Sequence, residues 1–179
     1  SAERLLLDIW PTMAAAVPAH APLVRLELLA TPHLRFAIMR EEPTVVQLTQ
    51  QFEFSAAHRL HCAGLSDEEN RRTFGKCNNP NGHGHNYLVE VTVAGVPDEK
   101  TGAVLPLPRF EETVKSHVID VLDHKHLNDD TEQFRNVNPS VENIARVIWH
   151  MLAPHVAPAR LHCVRVFETP KTWAEFAGG

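Results

Sequence analysis

The chain has 179 residues, 44% hydrophobic and 22% charged, which fits one globular domain of ordinary composition with room for an appendage. Its formal charge of -5 argues against a general nucleic-acid surface, and no apolar run reaches membrane-spanning length. Three widely spaced cysteines, Cys62, Cys77 and Cys163, are not a disulfide framework and suggest a reducing, cytoplasmic setting. Twelve histidines are the one compositional oddity and favour metal or proton chemistry. The N-terminus lacks a secretory leader pattern and an initiator Met, as expected of a processed or partial product.

Residues 1–44 come first. Leu5-Leu6-Leu7-Asp8-Ile9-Trp10 reads as the end of a helix stopped at Pro11 or soon after. Leu23–Leu29 and Leu34–Met39 read as two strands about the turn Thr31-Pro32-His33. The C-terminus repeats this order. Ile148-Trp149 ends a helix, 158–168 is an alternating strand, Thr169-Pro170 turns, and 172–176 returns. The two stretches lie about 138 residues apart, close to a small domain's length. Residues 1–44 are therefore expected to be the end of a preceding, degenerate unit, with Ala30 where the second copy has Glu168. The alternative is a two-stranded extension recruited to an exposed sheet edge.

The second unit, 45–179, opens with Val46, Leu48, Phe52 and Phe54 alternating with polar residues, a half-buried strand with His58 just past its end. A long loop over 61–82 contains a possible short helix at Asp67–Phe74. The β-branched run from Leu88 to Val93 predicts the next strand. Asp98–Gly102 predicts a tight turn. Leu107, Phe110, Val114, Val118, Val121 and Leu122 recur at helical spacing, and a second helix starts at Pro139-Ser140. The expected fold class is α+β: a four-stranded antiparallel sheet with two helices on one face, whose free edges invite pairing between subunits.

The chemistry concentrates in Cys77-Asn-Asn-Pro-Asn-Gly-His83-Gly-His85-Asn-Tyr87. Side chains two apart on a strand share a face, so His83 and His85 should project together. With His58 they make three imidazoles and no fourth protein ligand, the open type of zinc site that leaves a position for water or substrate. Two ordinary strand-edge histidines are the bland alternative. Cys77, in a loop of Asn, Pro and Gly, is a candidate nucleophile or base beside the metal, or an inert small residue.

Five motifs in register resemble 6-pyruvoyl-tetrahydropterin synthase over about 46–177. They are Phe54–Leu60, Asp67–Asn70, Phe74–Tyr87, Leu122–Lys125 and Glu168-Thr169. The resemblance implies the tunnelling fold, in which four-stranded sheets from several subunits join into a barrel, giving a homo-oligomer with active sites between subunits. It implies conversion of 7,8-dihydroneopterin triphosphate with loss of triphosphate and internal redox rearrangement of the side chain, and no cofactor besides Zn2+. By position, His58, His83 and His85 resemble the zinc ligands and Cys77 the catalytic base. Asp123 and His124 resemble the partners completing a proton relay, and Glu168 the pterin anchor. Asp123-His124 could instead cap a helix C-terminus, Glu168 could be a solvated strand residue, and Glu142 could cap a helix or line the pterin pocket. The six-residue step from Cys77 to His83 looks like the pyruvoyl enzyme rather than the related 6-carboxy-tetrahydropterin synthase. A non-catalytic zinc- or pterin-binding module is the alternative from another class.

Overall fold

The computed structural model describes all residues 1–179. Helix α1 spans Ala2–Ala16, with Ser1 as N-cap accepting a hydrogen bond from the Arg4 N–H. It buries Leu6 and Trp10 and does not stop at Pro11. Pro11 lies on the exposed side, where the Leu7 carbonyl left without its N–H is open to solvent, and three good helix formers, Ala14–Ala16, carry the helix onward. Strands β1 (Arg25–Thr31) and β2 (Leu34–Met39) form an antiparallel hairpin. Then follow β3 (Val46–His58), α2 (Asp67–Phe74), a 3-10 turn (Gly75–Asn78) and β4 (His83–Gly95). A capping box closes α2: the Ser66 hydroxyl accepts from the Glu69 N–H, while Glu69 accepts from the Ser66 N–H.

Helix α3 (Leu107–Val114) continues through a π-turn at Lys115–Ile119 into a last turn at Asp120–Leu122. A two-residue strand β5 (Lys125–His126), helix α4 (Val141–Leu152) and strands β6 (Arg160–Thr169) and β7 (Thr172–Phe176) complete the chain.

The sheet order is β1-β2-β3-β4-β6-β7, with β5 parallel to β3 at Ala56–Ala57. The expected antiparallel four, β3-β4-β6-β7, are contiguous within it. The remaining strands have a common cause. β3 offers thirteen residues of outer edge, which would be an open template for pairing. β2 covers Val46–Gln50 of that edge and β5 covers its far end. One face of the sheet carries Leu48, Phe54, Tyr87, Val89, Val91, Val164 and Val166, buried in one core with Leu6, Phe110, Val118, Ile144 and Ile148 of the helices. The opposite face is ionic. Arg35 of β2 makes two bonds of 2.9 Å to Glu90 of β4, reaching across β3.

The hairpins β1–β2 and β6–β7 have the same ladder. Leu26 pairs with Ile38 as Val164 pairs with Phe176, and Thr31 with Leu34 as Thr169 with Thr172. Both ladders break one residue before the closing threonine, at Ala30 in one and Glu168 in the other. In both turns the threonine hydroxyl accepts from the N–H two residues on, of His33 or of Lys171.

Candidate active site and metal centre

The β3–β4 register sets His58 directly opposite His83 and Ala56 opposite His85, so alternation brings all three imidazoles to one face at one end of the sheet. Gly82, at φ 70, turns the Asn79–Asn81 loop into β4. His58 is fully buried, and its Nδ1–H donates to the Pro139 carbonyl at 2.7 Å. That bond leaves Nε2 as the lone-pair nitrogen aimed into the site. His58 Nε2 lies 3.1 Å from His83 Nε2.

Glu168 joins them. At the break in the β6–β7 ladder its Oε1 stands 3.2 Å from His58 Nε2 and 3.4 Å from His85 Nε2. The residue expected as pterin anchor thus stands as an oxygen donor beside the three imidazoles. Glu168 follows the face of Val164 and Val166, and a bulge is where a sheet re-aims a side chain. One donor atom from each of the four lies within 4.8 Å of the others. Zinc–nitrogen bonds of about 2.0–2.1 Å put tetrahedral ligands about 3.3–3.4 Å apart, close to these separations. His83 Nδ1 and His85 Nε2 are buried without hydrogen-bond partners. A donor set of this softness and spacing fits a divalent metal.

Electrostatics agree with neutral imidazoles. Burial lowers the pKa of His58, opposed by the Pro139 hydrogen bond, and burial with the neighbouring His85 lowers that of His83. Cys77 lies on the 3-10 turn, half-buried. Burial, then the charge of Glu168, pushes its thiol up.

Asp123 and His124 are held together, and His124 lines one cavity with His85. Asp123 Oδ1 accepts from the Ser55 N–H at 2.8 Å, the first cause of its lowered pKa, and Oδ2 lies 2.8 Å from His124 Nδ1. His124 adopts a left-handed φ of 57, its N–H bonded to the Ser55 carbonyl at 2.7 Å, with its ring largely exposed. No hydrogen bond or ion pair joins the couple to Cys77 or to the imidazoles. Glu142 is exposed in the first turn of α4.

Two features escape motif reading. Tyr87 is fully buried beside His58 and His85 with its hydroxyl unpartnered, and burial raises its pKa. Its alternation with His83 and His85 was the available signal. The Pro139 carbonyl is backbone and leaves no side-chain signature.

Fold and site together define an α+β enzyme built around a metal-binding cluster. The family model "6-pyruvoyl tetrahydropterin synthase" matches residues 47–179, and the chain belongs to that family. It is 44% identical over 141 residues to the 6-pyruvoyl tetrahydrobiopterin synthase of Drosophila melanogaster, covering 78% of this chain and 83% of that one. With the Homo sapiens protein of the same name it shares 43% over 132 residues, covering 74% and 91%. The solved Caenorhabditis elegans 6-pyruvoyl tetrahydropterin synthase superposes with a TM-score of 0.72 at 40% identity, covering 75% of this chain and 96% of the other.

Proposed function

We propose that the chain converts 7,8-dihydroneopterin triphosphate to 6-pyruvoyl-tetrahydropterin, a lyase step in tetrahydrobiopterin synthesis. The observation that carries this is the four-donor cluster of His58, His83, His85 and Glu168, formed where β3 and β6 end and β4 begins. In this reading the three imidazoles hold Zn2+, which as a Lewis acid makes the side-chain hydroxyls and adjacent C–H bonds more acidic.

The chain's own residues do the rest. Glu168 offers two carboxylate oxygens to the 2-amino group and ring N–H of the pterin, a bidentate contact that selects that edge. Cys77 takes and returns the proton at the substrate side chain. Asp123 fixes the His124 tautomer and supports its basicity. Since the couple makes no hydrogen bond or ion pair to Cys77 within one chain, it serves the site of a neighbouring copy.

We further infer that residues 1–44 are the closing helix and hairpin of a degenerate second unit. Its β2 occupies the β3 edge in cis, so copies assemble through the open edges of β7 and β1. The three free thiols suit the cytoplasm, and no helix is long and apolar enough to cross a membrane.

The test is incubation of zinc-loaded protein with 7,8-dihydroneopterin triphosphate and mass analysis of products. Triphosphate and 6-pyruvoyl-tetrahydropterin are expected. A 6-carboxy product with a two-carbon aldehyde would transfer the chain to the related synthase, and zinc and pterin binding without turnover would make it a binding module. Cys77→Ser should keep zinc and pterin binding while kcat falls about 10²–10⁴-fold, and a near-normal rate would remove Cys77 from the mechanism.

A further inference from the structure

A cavity of about 760 Å³ shares the His83 imidazole with the metal cluster and has no hydrophobic residue in its lining. Arg59, Arg71 and Lys76 line it, with Asp67 as the only acid. The chain's Arg and Lys ion pairs engage Arg25, Arg35, Lys115, Arg135, Arg160 and Arg165 but none of these three cations. Cations beside a carboxylate usually find it. Here three converge on one hollow without doing so.

Arg59 adds a second, independent observation. Its backbone is clamped in both directions by Asn128, whose Oδ1 accepts from the Arg59 N–H at 2.8 Å and whose Nδ2 donates to the Arg59 carbonyl at 3.0 Å. Its Nη2 lies 3.3 Å from His61 Nδ1, yet its Nε is buried with no partner at all. A buried guanidinium N–H left open in a hydrogen-bonded frame costs stability unless a ligand accepts it. The opposite wall is also built. Asn78 Nδ2 donates to the Leu60 carbonyl at 2.8 Å, holding the 3-10 turn that carries Lys76 against the end of β3.

We infer that Arg59, Arg71 and Lys76 form the cradle for the triphosphate, and that they act on its departure as well as on its binding. This rests on the function proposed above. Triphosphate suits the hollow because three cations on three different elements match a chain of three charged groups. His83 places the cradle next to the reacting side chain. In the elimination a base removes a carbon-bound proton, the C–H electron pair becomes a C=C bond, and the bridging oxygen leaves with the C–O pair as free triphosphate. Negative charge on that oxygen rises as the bond breaks, so fixed cations favour the transition state over the bound substrate.

The experiment is calorimetric titration of the zinc-loaded full chain with inorganic tripolyphosphate, and separately with unphosphorylated dihydroneopterin. Wild type should bind tripolyphosphate. Arg71→Ala and Lys76→Ala, both at exposed positions, should each weaken it about tenfold, the effect of one charge-assisted contact. Dihydroneopterin affinity should stay within twofold. Arg72→Ala, one residue along α2 and outside the cavity, should change neither. Arg59→Lys keeps the charge and loses the fork, and should weaken tripolyphosphate while leaving the far-ultraviolet spectrum unchanged. In turnover of the triphosphate substrate, Arg71→Ala and Lys76→Ala should lower kcat as well as raise KM, whereas mere surface attraction would move KM alone. The cradle is overturned if wild type does not bind tripolyphosphate, or if Arg72→Ala weakens it as much as Arg71→Ala. Loss of dihydroneopterin binding and turnover in wild type, with tripolyphosphate still held in the cavity, would sink the pterin reaction and leave a polyphosphate site.

Discussion

β1–β2 and β6–β7 flank the same central strands with the same register, bulge and turn, and they differ at one decisive place. At the bulge the first hairpin carries Ala30 and the second Glu168. The second bulge faces β4, which brings His83 and His85 and lies against His58 of β3. The first has no imidazole-bearing strand beside β1, which is the sheet's edge. A β-bulge therefore supplies only aim. Chemistry appears where the aimed residue is a carboxylate and the neighbouring strands end in nitrogen donors. The ladder survives without either, because its stability comes from main-chain pairing and from side chains on the core face.

The largest break in that comparison is His83→Ala. Three imidazoles leave no redundancy, so metal and activity should vanish together. Retained stoichiometric metal would refute the ligand assignment. Next comes Glu168→Ala, which makes the second bulge match the first. It removes the carboxylate while keeping His58, His83 and His85, so zinc should remain near one per chain. Pterin turnover should fall about 10²–10³-fold, the cost of losing a charged hydrogen-bonding partner. Zinc lost in the same variant would make Glu168 a structural fourth ligand instead of an anchor. Ala30→Glu is the reciprocal change and should add no metal, since nothing near β1 completes a site.

Legibility in the sequence followed the same division. Alternation along 46–58 and 83–95 is dictated by burying one face of a sheet, and the imidazole trio could be derived from it. The helix α2 carried its own capping pair, Ser66 and Glu69, and its Asp67–Phe74 limits were readable. What escaped was fixed by pairing instead of by pattern. The bulge that swings Glu168 to within 3.2 Å of His58 depends on where the ladder slips. β5 has two residues, too few for any period, and exists because β3 has an edge to cover. The docking of Asp123-His124 on the Ser55 backbone is a tertiary contact that adjacent motifs cannot report. The unpaired cations of the basic cavity come from β3's exit, α2 and the 3-10 turn, and no single motif spans them.

A milder change probes how the first hairpin is held. Arg35→Ala cuts the two bonds to Glu90 that reach across β3 and leaves that carboxylate, 12% exposed, without its main partner. Arg165, at 3.6 Å, compensates in part. Stability should drop by about 1–3 kcal/mol in urea unfolding, with catalysis unchanged. Equal loss of activity would mean that the hairpin shapes the active site and is more than a cover for β3.

The smallest effect expected is pH dependence, and it separates the imidazole cluster from the ionic face by pH window. Burial holds the His58 and His83 imidazoles below their ordinary value of 6.5. In the metal-free chain the unfolded state therefore binds more protons just below that pH, and stability falls as pH drops from about 6.5 through the lowered folded values. Glu90 behaves in the same direction but in a lower window. Its hydrogen bonds from Arg35 hold it below 4.5, so its contribution is lost only as pH falls beneath that. Thermal unfolding of metal-free protein between pH 7.5 and 5.5 should thus show a decline that His83→Ala flattens and Arg35→Ala leaves alone. Zinc should oppose the decline until protons outcompete it for the same nitrogens. A decline insensitive to His83→Ala would place its origin outside the cluster, and would remove the buried imidazoles as the reason this end of the sheet is the less stable one in acid.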